Sequence, residues 1–462
     1  MSKDLLKKLP AIDKWLASAR GQDLCAEFSH VEVADVMRAH LAKLRRVLTN
    51  GGAELPQFDS LEYCMLLRAD LLKARSRSFR RTINATGIII HTNLGRAPLA
   101  DEAIAEIKDT ASGYSNLELD LETGKRGSRY QHVESMLTRL TGAEAAVVVN
   151  NCAAAVMLAL NTIAKNGEVI ISRGELVEIG GSFRMPDVIS QSGARMVEVG
   201  TTNRTNLRDY AAAVSEDTRA LLAIHPSNFR VIGFTDKPKL GDLARFAHDN
   251  GILLMEDLGS GSLIDLSGSR LSSEPTVQQS IASDVDLLTF SGDKMLGGPQ
   301  AGIILGRAGL VESIKRNPLL RALRIDKLSL AALGATLRLY LPPNDPQEQV
   351  PVLRMINEDR ASVGRRASEL LRQLEKIPGI TGVIKNDVSF TGGGALPMNE
   401  IPTKVVQIRA EKLTAIKLAE RLRVFETPVI GRIANDILHL DLRTVQAGEL
   451  SDLTAALEQA VT

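Results

Sequence analysis

The chain has 462 residues, 44% hydrophobic and 24% charged, which supplies a large core and suggests roughly three compact units. Aromatic residues make up only 3%, with one tryptophan, so an aromatic stacking platform for single-stranded nucleic acid is excluded as the main device. Cys25, Cys64 and Cys152 lie far apart with no C-x-x-C, there is no H-E-x-x-H, and no apolar run approaches membrane-spanning length; a disulfide framework, a thiolate zinc site and a membrane span are disfavoured.

The net charge of +1 hides an asymmetry. Residues 1–81 hold fifteen Lys/Arg against ten Asp/Glu, a surplus of five, whereas the rest is mildly acidic. The opening MSKDLLKKLPAIDKW lacks an apolar signal-peptide core, so a reducing cytoplasm is the expected location. Val36, Met37, His40, Leu41, Leu44, Val47 and Leu48 recur at three- and four-residue spacing, which predicts a helix stopped by Asn50-Gly51-Gly52. A second helical pattern runs from Leu61 through Leu72 and ends in a basic stretch reaching Arg81. A basic helical head suits a polyanionic partner, and equally a solvated helix face.

From residue 82 the texture changes. Short runs rich in Val, Ile and Leu alternate with helical stretches: Ala145–Val149, Glu168–Ser172, Met196–Val199, Ala220–Ile224, Ile252–Glu256, Val285–Phe290 and Ala301–Leu305. Such runs predict strands buried on both faces of a parallel sheet, in a doubly wound α/β domain over 82–325. A helix is expected over Asp326–Tyr340, before Pro342-Pro343. Strands over Lys404–Arg409, Val429–Ile433 and Ile437–Leu442 then mix with helices, so 326–462 reads as an α+β domain, with Gly392-Gly393-Gly394 as a loop.

Ligands of doubly wound sheets bind beyond the carboxyl ends of the strands. Four such ends carry unusual residues. Asn150-Asn151-Cys152-Ala153-Ala154-Ala155 joins a strand to a helix, and its small residues leave N–H groups open to one phosphate; it reads equally as an ordinary helix cap. His225-Pro226-Ser227-Asn228 suits orientation of a ring hydroxyl, or an Asx turn. Asp257, after an apolar strand, stays charged only beside a cation or donors, such as a protonated pyridine nitrogen. Ser291-Gly292-Asp293-Lys294 is followed by Gly297-Gly298-Pro299; a lysine so enclosed suits a Schiff base.

Taken in order, these are a monophosphate cradle (Asn151, Cys152, Ala153, helped by Ser291), a ring-oriented Asn228, a pyridine-facing Asp257, and Lys294, 37 positions after that aspartate. This is the order expected of a pyridoxal phosphate enzyme of the aspartate aminotransferase-like fold, fold type I.

Longer stretches resemble the bacterial selenocysteine synthase family, the L-seryl-tRNA(Sec) selenium transferases. They are INATGIIIHTNLGRAPL from Ile83, SRGELVEIGGSFRMPDV from Ser172, VGTTNRT from Val199, DLGSGSLIDLS from Asp257, SGDKMLGGPQAGIILG from Ser291 and RALRIDK from Arg321. The resemblance implies that Lys294 holds the cofactor with Asp293 as its catalytic neighbour. It implies that Arg96, Arg321 and Arg324 bind selenophosphate, for which guanidinium forks are suited. It further implies β-elimination from seryl-tRNA(Sec) through an aminoacrylyl-tRNA, then selenium addition. A homodecamer in which Thr201 and Thr202 join dimers, and a tRNA-binding head over 1–81, are implied too, with no part for DNA or a membrane. Family members carry an asparagine-rich run where this chain has Cys152. Two rival readings are a pyridoxal phosphate lyase acting on a small amino acid or amino-sugar acid, and a non-catalytic tRNA-binding protein.

Overall fold

The computed structural model describes residues 5–50, 55–75, 77–179, 183–226, 229, 231–266, 274–393 and 399–462. It divides into two compact units, Met1–Arg81 and Thr82–Thr462.

The first unit is helical: α1 (Ile12–Leu16), α2 (Ala19–Glu27), α3 (His30–Thr49) and α4 (Leu61–Arg75). Ser29 starts α3 through a capping box with Glu32, which satisfies donors at the helix start. Trp15, Leu24, Met37, Leu41, Tyr63 and Leu67 interlock in one core, and Trp15 Nε1 donates to the Phe58 carbonyl at 2.9 Å. Arg68 is paired with Glu27 and Arg75 with Glu32, so part of the basic surplus is neutralised locally; Lys43, Arg45 and Arg46 remain exposed on α3.

The second unit begins with β1 (Ile83–Ala85), β2 (Ile88–Ile90), α5 (Asp101–Ser112), α6 (Gln131–Thr141), β3 (Ala145–Val149), α7 (Cys152–Ile163) and β4 (Glu168–Ser172). A short hairpin of β5 (Glu178–Ile179) and β6 (Phe183–Arg184) precedes β7 (Arg195–Val199), β8 (Thr218–Ile224), α8 (Leu240–Asp249), β9 (Leu253–Gly259), β10 (Leu287–Ser291) and β11 (Gly302–Gly306). Strand order in the large sheet is β3-β11-β10-β9-β8-β4-β7. Alternate residues of each strand feed opposite faces. Ala146 and Val148 join one core, under α6, α8 and a later helix, α11; Ala145, Val147 and Val149 join the other, under α7 and α9. Here α9 is Ala308–Arg316, α10 is Leu319–Leu323 and α11 is Lys327–Leu339.

The sheet is not wholly parallel. β11 runs antiparallel to both β10 and β3. The segment between β10 and β11 holds no helix among the elements, and without a crossover the chain can only return antiparallel.

The smaller sheet has order β1-β14-β15-β13-β12-β2, with β12 (Ile380–Gly392), β13 (Glu400–Ala410), β14 (Val429–Ala434) and β15 (Ile437–Asp441). Helices α12 (Arg360–Leu374), α13 (Ala415–Val424) and α14 (Leu450–Val461) cover it through Val363, Leu370, Leu418, Leu422, Leu453 and Leu457. Two features interleave the parts that the sequence divided at 325/326. β1 and β2 pair with β14 and β12, while α11 packs Leu330, Leu333 and Leu337 into the large-sheet core. No described helix is long and apolar enough to cross a membrane.

Candidate active site

The carboxyl ends of β3, β9 and β10 converge. β3 passes through Asn150 into α7, whose N-cap is Asn151; its side-chain oxygen accepts from the Ala154 N–H at 2.9 Å. The N–H groups of Cys152 and Ala153, in the first turn, have no acceptor within the helix and are open to an anion. The turn is held from two sides. The Asn150 N–H donates to the Leu323 carbonyl at 2.9 Å, and Gly302 of β11 lies so close that a Cβ there would meet the Asn151 carbonyl oxygen at 2.1 Å.

Asp257 sits in β9 opposite Thr289 of β10. One carboxylate oxygen accepts from Thr289 Oγ1 at 2.9 Å and from Cys152 Sγ at 3.4 Å. Burial pushes this carboxyl above its ordinary range, and the Thr289 hydrogen bond, Lys294 and Cys152 oppose that shift. Burial likewise pushes the Cys152 thiol well up, with Asp257 adding to it, so Cys152 is a neutral S–H donor.

Beyond β10, Ser291 Oγ donates to Asp293 Oδ1 at 2.5 Å, and Arg96 Nη1 donates to Asp293 Oδ2 at 2.8 Å. The Ser291 hydroxyl proton is therefore committed to Asp293. Arg96 holds a left-handed backbone, φ 64°, which costs about 1 kcal/mol or more in a non-glycine residue and is fixed by its N–H to the His91 carbonyl at 3.0 Å. Lys294 is 7% exposed.

A cavity of about 260 Å³ gathers most of the residues singled out from sequence: Arg96, Asn151, Cys152, Ala153, Asp257, Ser291 and Lys294 all line it. Asp293 opens instead on an adjoining cavity of about 620 Å³, which shares Arg96 and Gln300 with the first. Arg321 and Arg324 are exposed and line neither. The backbone of Arg324 is nevertheless tied to the strand that leads into the cradle, through a β-bridge with Val149. Asn228 lies outside the described residues. Sequence reasoning gave no role to Thr289 or Met185, and named His225 only as part of the His225-Pro226-Ser227-Asn228 run. Thr289 is legible only once the register of β9 and β10 is known.

The donor set fits pyridoxal phosphate: a buried primary amine, a buried carboxylate held by donors on one oxygen, and a helix N-terminus with open N–H groups. The solved structure of D-glucosaminate-6-phosphate ammonia-lyase superposes on this chain with TM-score 0.57 at 20% identity, covering 83% of this chain and 96% of that one. The fold is the aspartate aminotransferase-like fold type I, and this donor set, together with the family match that follows, defines the class as that of the pyridoxal phosphate-dependent enzymes.

A sequence model described as SelA, L-seryl-tRNA selenium transferase, matches residues 82–446. The L-seryl-tRNA(Sec) selenium transferase of Hyphomonas neptunium is 49% identical over 458 residues, 99% of either chain. Those of Nitratidesulfovibrio vulgaris and Alkaliphilus metalliredigens are 46% and 45% identical, over 99% and 98% of this chain and of theirs. The chain belongs to the L-seryl-tRNA selenium transferase family.

Proposed function

We propose that this protein converts L-seryl-tRNA(Sec) to L-selenocysteinyl-tRNA(Sec) with selenophosphate as selenium donor. The observation that carries the reading is the buried Lys294 on one cavity with Asp257 and the open start of α7, in a chain of this family. Pyridoxal phosphate, when bound, supplies an aldehyde for attachment and an electron sink for charge developing at the substrate α-carbon. Lys294 would supply the amine that holds it, and the same amine can serve as a base for the substrate α-proton. Asp257 holds a proton on the ring nitrogen, and its two donors, Thr289 and Cys152, fix the orientation of the carboxylate. The N–H groups of Cys152 and Ala153, in the turn capped by Asn151, would bind the phosphate, with Ser291 on the same cavity but its proton held by Asp293; the sequence context of Asn228 suits the ring oxygen.

Asp293 sits one residue from Lys294, with both oxygens occupied by Arg96 and Ser291. It is a carboxylate fixed by those two partners next to Lys294 in the chain. Arg96, Arg321 and Arg324 bind selenophosphate through guanidinium forks. Arg321 and Arg324 stand exposed, free to serve a pocket completed by a second subunit, in keeping with a ring of ten chains joined through Thr201 and Thr202. The basic unit over 1–81 grips the tRNA through phosphates and shape, which needs lysine and arginine rather than aromatic residues. The reaction runs in the cytoplasm.

The test is conversion of charged seryl-tRNA(Sec) in the presence of selenophosphate. Wild type forms selenocysteinyl-tRNA and Lys294→Ala does not. A Lys294→Ala protein with wild-type turnover refutes the reading.

A further inference from the structure

A third cavity, of about 300 Å³, has no part in the mechanism above. His225 lines both it and the Lys294 cavity. Its backbone N–H donates to the Asp257 carbonyl at 3.0 Å, and its ring Nε2 lies 3.3 Å from Glu274 Oε2. The Glu274 side chain is 3% exposed, and its other oxygen has no partner among the described residues.

Two buried carboxylates line this third cavity. Glu256 precedes Asp257 in β9, and its Oε2 lacks a partner among the described residues. Glu175 accepts from the Ile224 N–H at 3.1 Å and lies 3.9 Å from Lys237. Lys237 and Lys239 also line this cavity, both on exposed positions, and Lys294 stands on the cofactor side. Glu274 thus touches the imidazole, Asp257 shares the Lys294 cavity with His225, and Glu175 and Glu256 share the other.

Such a group cannot ionise together without a nearby cation. Burial pushes Glu175 up to about 7 and raises Glu256 and Asp257; Lys237 opposes this at Glu175, Thr289 and Lys294 oppose it at Asp257, and His225 acts in the same direction at all three. Asp257 needs its negative charge if it is to hold a proton on the cofactor ring.

We infer that His225, anchored by Glu274, is a positioning residue that keeps Asp257 ionised toward the cofactor, and that it does so only while its imidazole carries a proton. The inference rests on the reading that places pyridoxal phosphate against Asp257 and Lys294. Its signature is a dependence on pH that a merely structural histidine lacks. When the imidazole is charged, wild type holds the cofactor better than a variant without it; when the imidazole is neutral, the two converge.

The experiment titrates full-length apoprotein with pyridoxal phosphate, reading Kd from visible absorbance across pH, for wild type, His225→Gln and Glu274→Gln. Melting temperatures check folding. The ratio of the His225→Gln Kd to the wild-type Kd is expected near tenfold at about pH 5.5, the size of one charge interaction in partly solvated surroundings, and near one at about pH 8.5. Glu274→Gln keeps wild-type affinity at the acid end and moves the transition to lower pH, because the imidazolium has lost its carboxylate; if His225→Gln fails to fold, this shift carries the test. A pH-independent ratio for His225→Gln, or an unshifted profile for Glu274→Gln, overturns the inference while leaving the site reading intact. A wild-type protein that takes up no pyridoxal phosphate overturns both.

Discussion

Gly302→Ala probes the phosphate cradle from a residue that does not itself meet the cofactor. The added Cβ would lie 2.1 Å from the Asn151 oxygen, 2.5 Å from the Asn151 carbonyl carbon and 2.9 Å from the Cys152 nitrogen, all backbone atoms. Ordinary contact begins near 3.4 Å, so the turn or β11 must give by more than an ångström. β11 is paired on both edges, with β3 and β10, whereas the turn leads into a helix end; the turn is the softer partner. Overpacking of this kind costs about 1–3 kcal/mol of stability. Displacing the Cys152 and Ala153 N–H groups also forfeits roughly one charge-assisted hydrogen bond, about 1.5–3 kcal/mol, which raises the Kd for pyridoxal phosphate roughly 10- to 100-fold. The assay is absorbance titration of the apoprotein, with thermal melting alongside. Gly306→Ala is the control: at the far end of β11 its Cβ would strike the Asp286 carbonyl at 2.2 Å, so it loses stability but keeps cofactor affinity. The reasoning fails if Gly302→Ala binds the cofactor as wild type does, or if Gly306→Ala weakens binding equally.

Asp257→Asn leaves the fold intact, since a buried charge is removed and an acceptor for Thr289 is kept, but lowers kcat roughly 100-fold or more because an amide cannot hold the ring nitrogen protonated; steady-state turnover at matched cofactor loading checks it. Glu175 is pushed by burial from its ordinary 4.5 up to about 7. The folded state therefore binds more protons than the unfolded state between those values, and this group makes stability fall as pH rises through that window. Glu175→Gln removes the slope and gains about 1–3 kcal/mol near pH 8 relative to wild type, with little change near pH 4; urea melts at both ends read it, and an unchanged difference would contradict the shift. A chain starting at Thr82 takes up pyridoxal phosphate but loses tRNA(Sec) affinity, together with most of the salt dependence of binding in a mobility-shift titration. Retained tight, salt-sensitive binding would place the tRNA surface elsewhere.

Much of the site was legible because its chemistry is local in sequence. A strand leading into Asn150-Asn151-Cys152, an aspartate ending an apolar run and a lysine among glycines each signal their roles by type and context, and the structure brings Cys152, Asp257 and Lys294 to one cavity. What stayed hidden depends on pairing between distant segments. Thr289 meets Asp257 only through the register of β10 on β9, and His225 meets Glu274 across 49 residues. β12 was missed because one of its faces is solvated, so it carries no continuous apolar run. The antiparallel course of β11 was missed because a buried strand looks the same in either direction. The arginines divide likewise: Arg96 reaches Asp293 within the chain, whereas Arg324 is held near the cradle by a backbone bridge and Arg321 lines neither cavity.

The central claim is that Lys294 carries the cofactor. Reductive trapping with borohydride in the presence of pyridoxal phosphate, followed by peptide mapping, tests it most directly. The account predicts one stable adduct, on the peptide containing Lys294, lost in Lys294→Ala. An adduct on another lysine, or none on a folded protein, would contradict it.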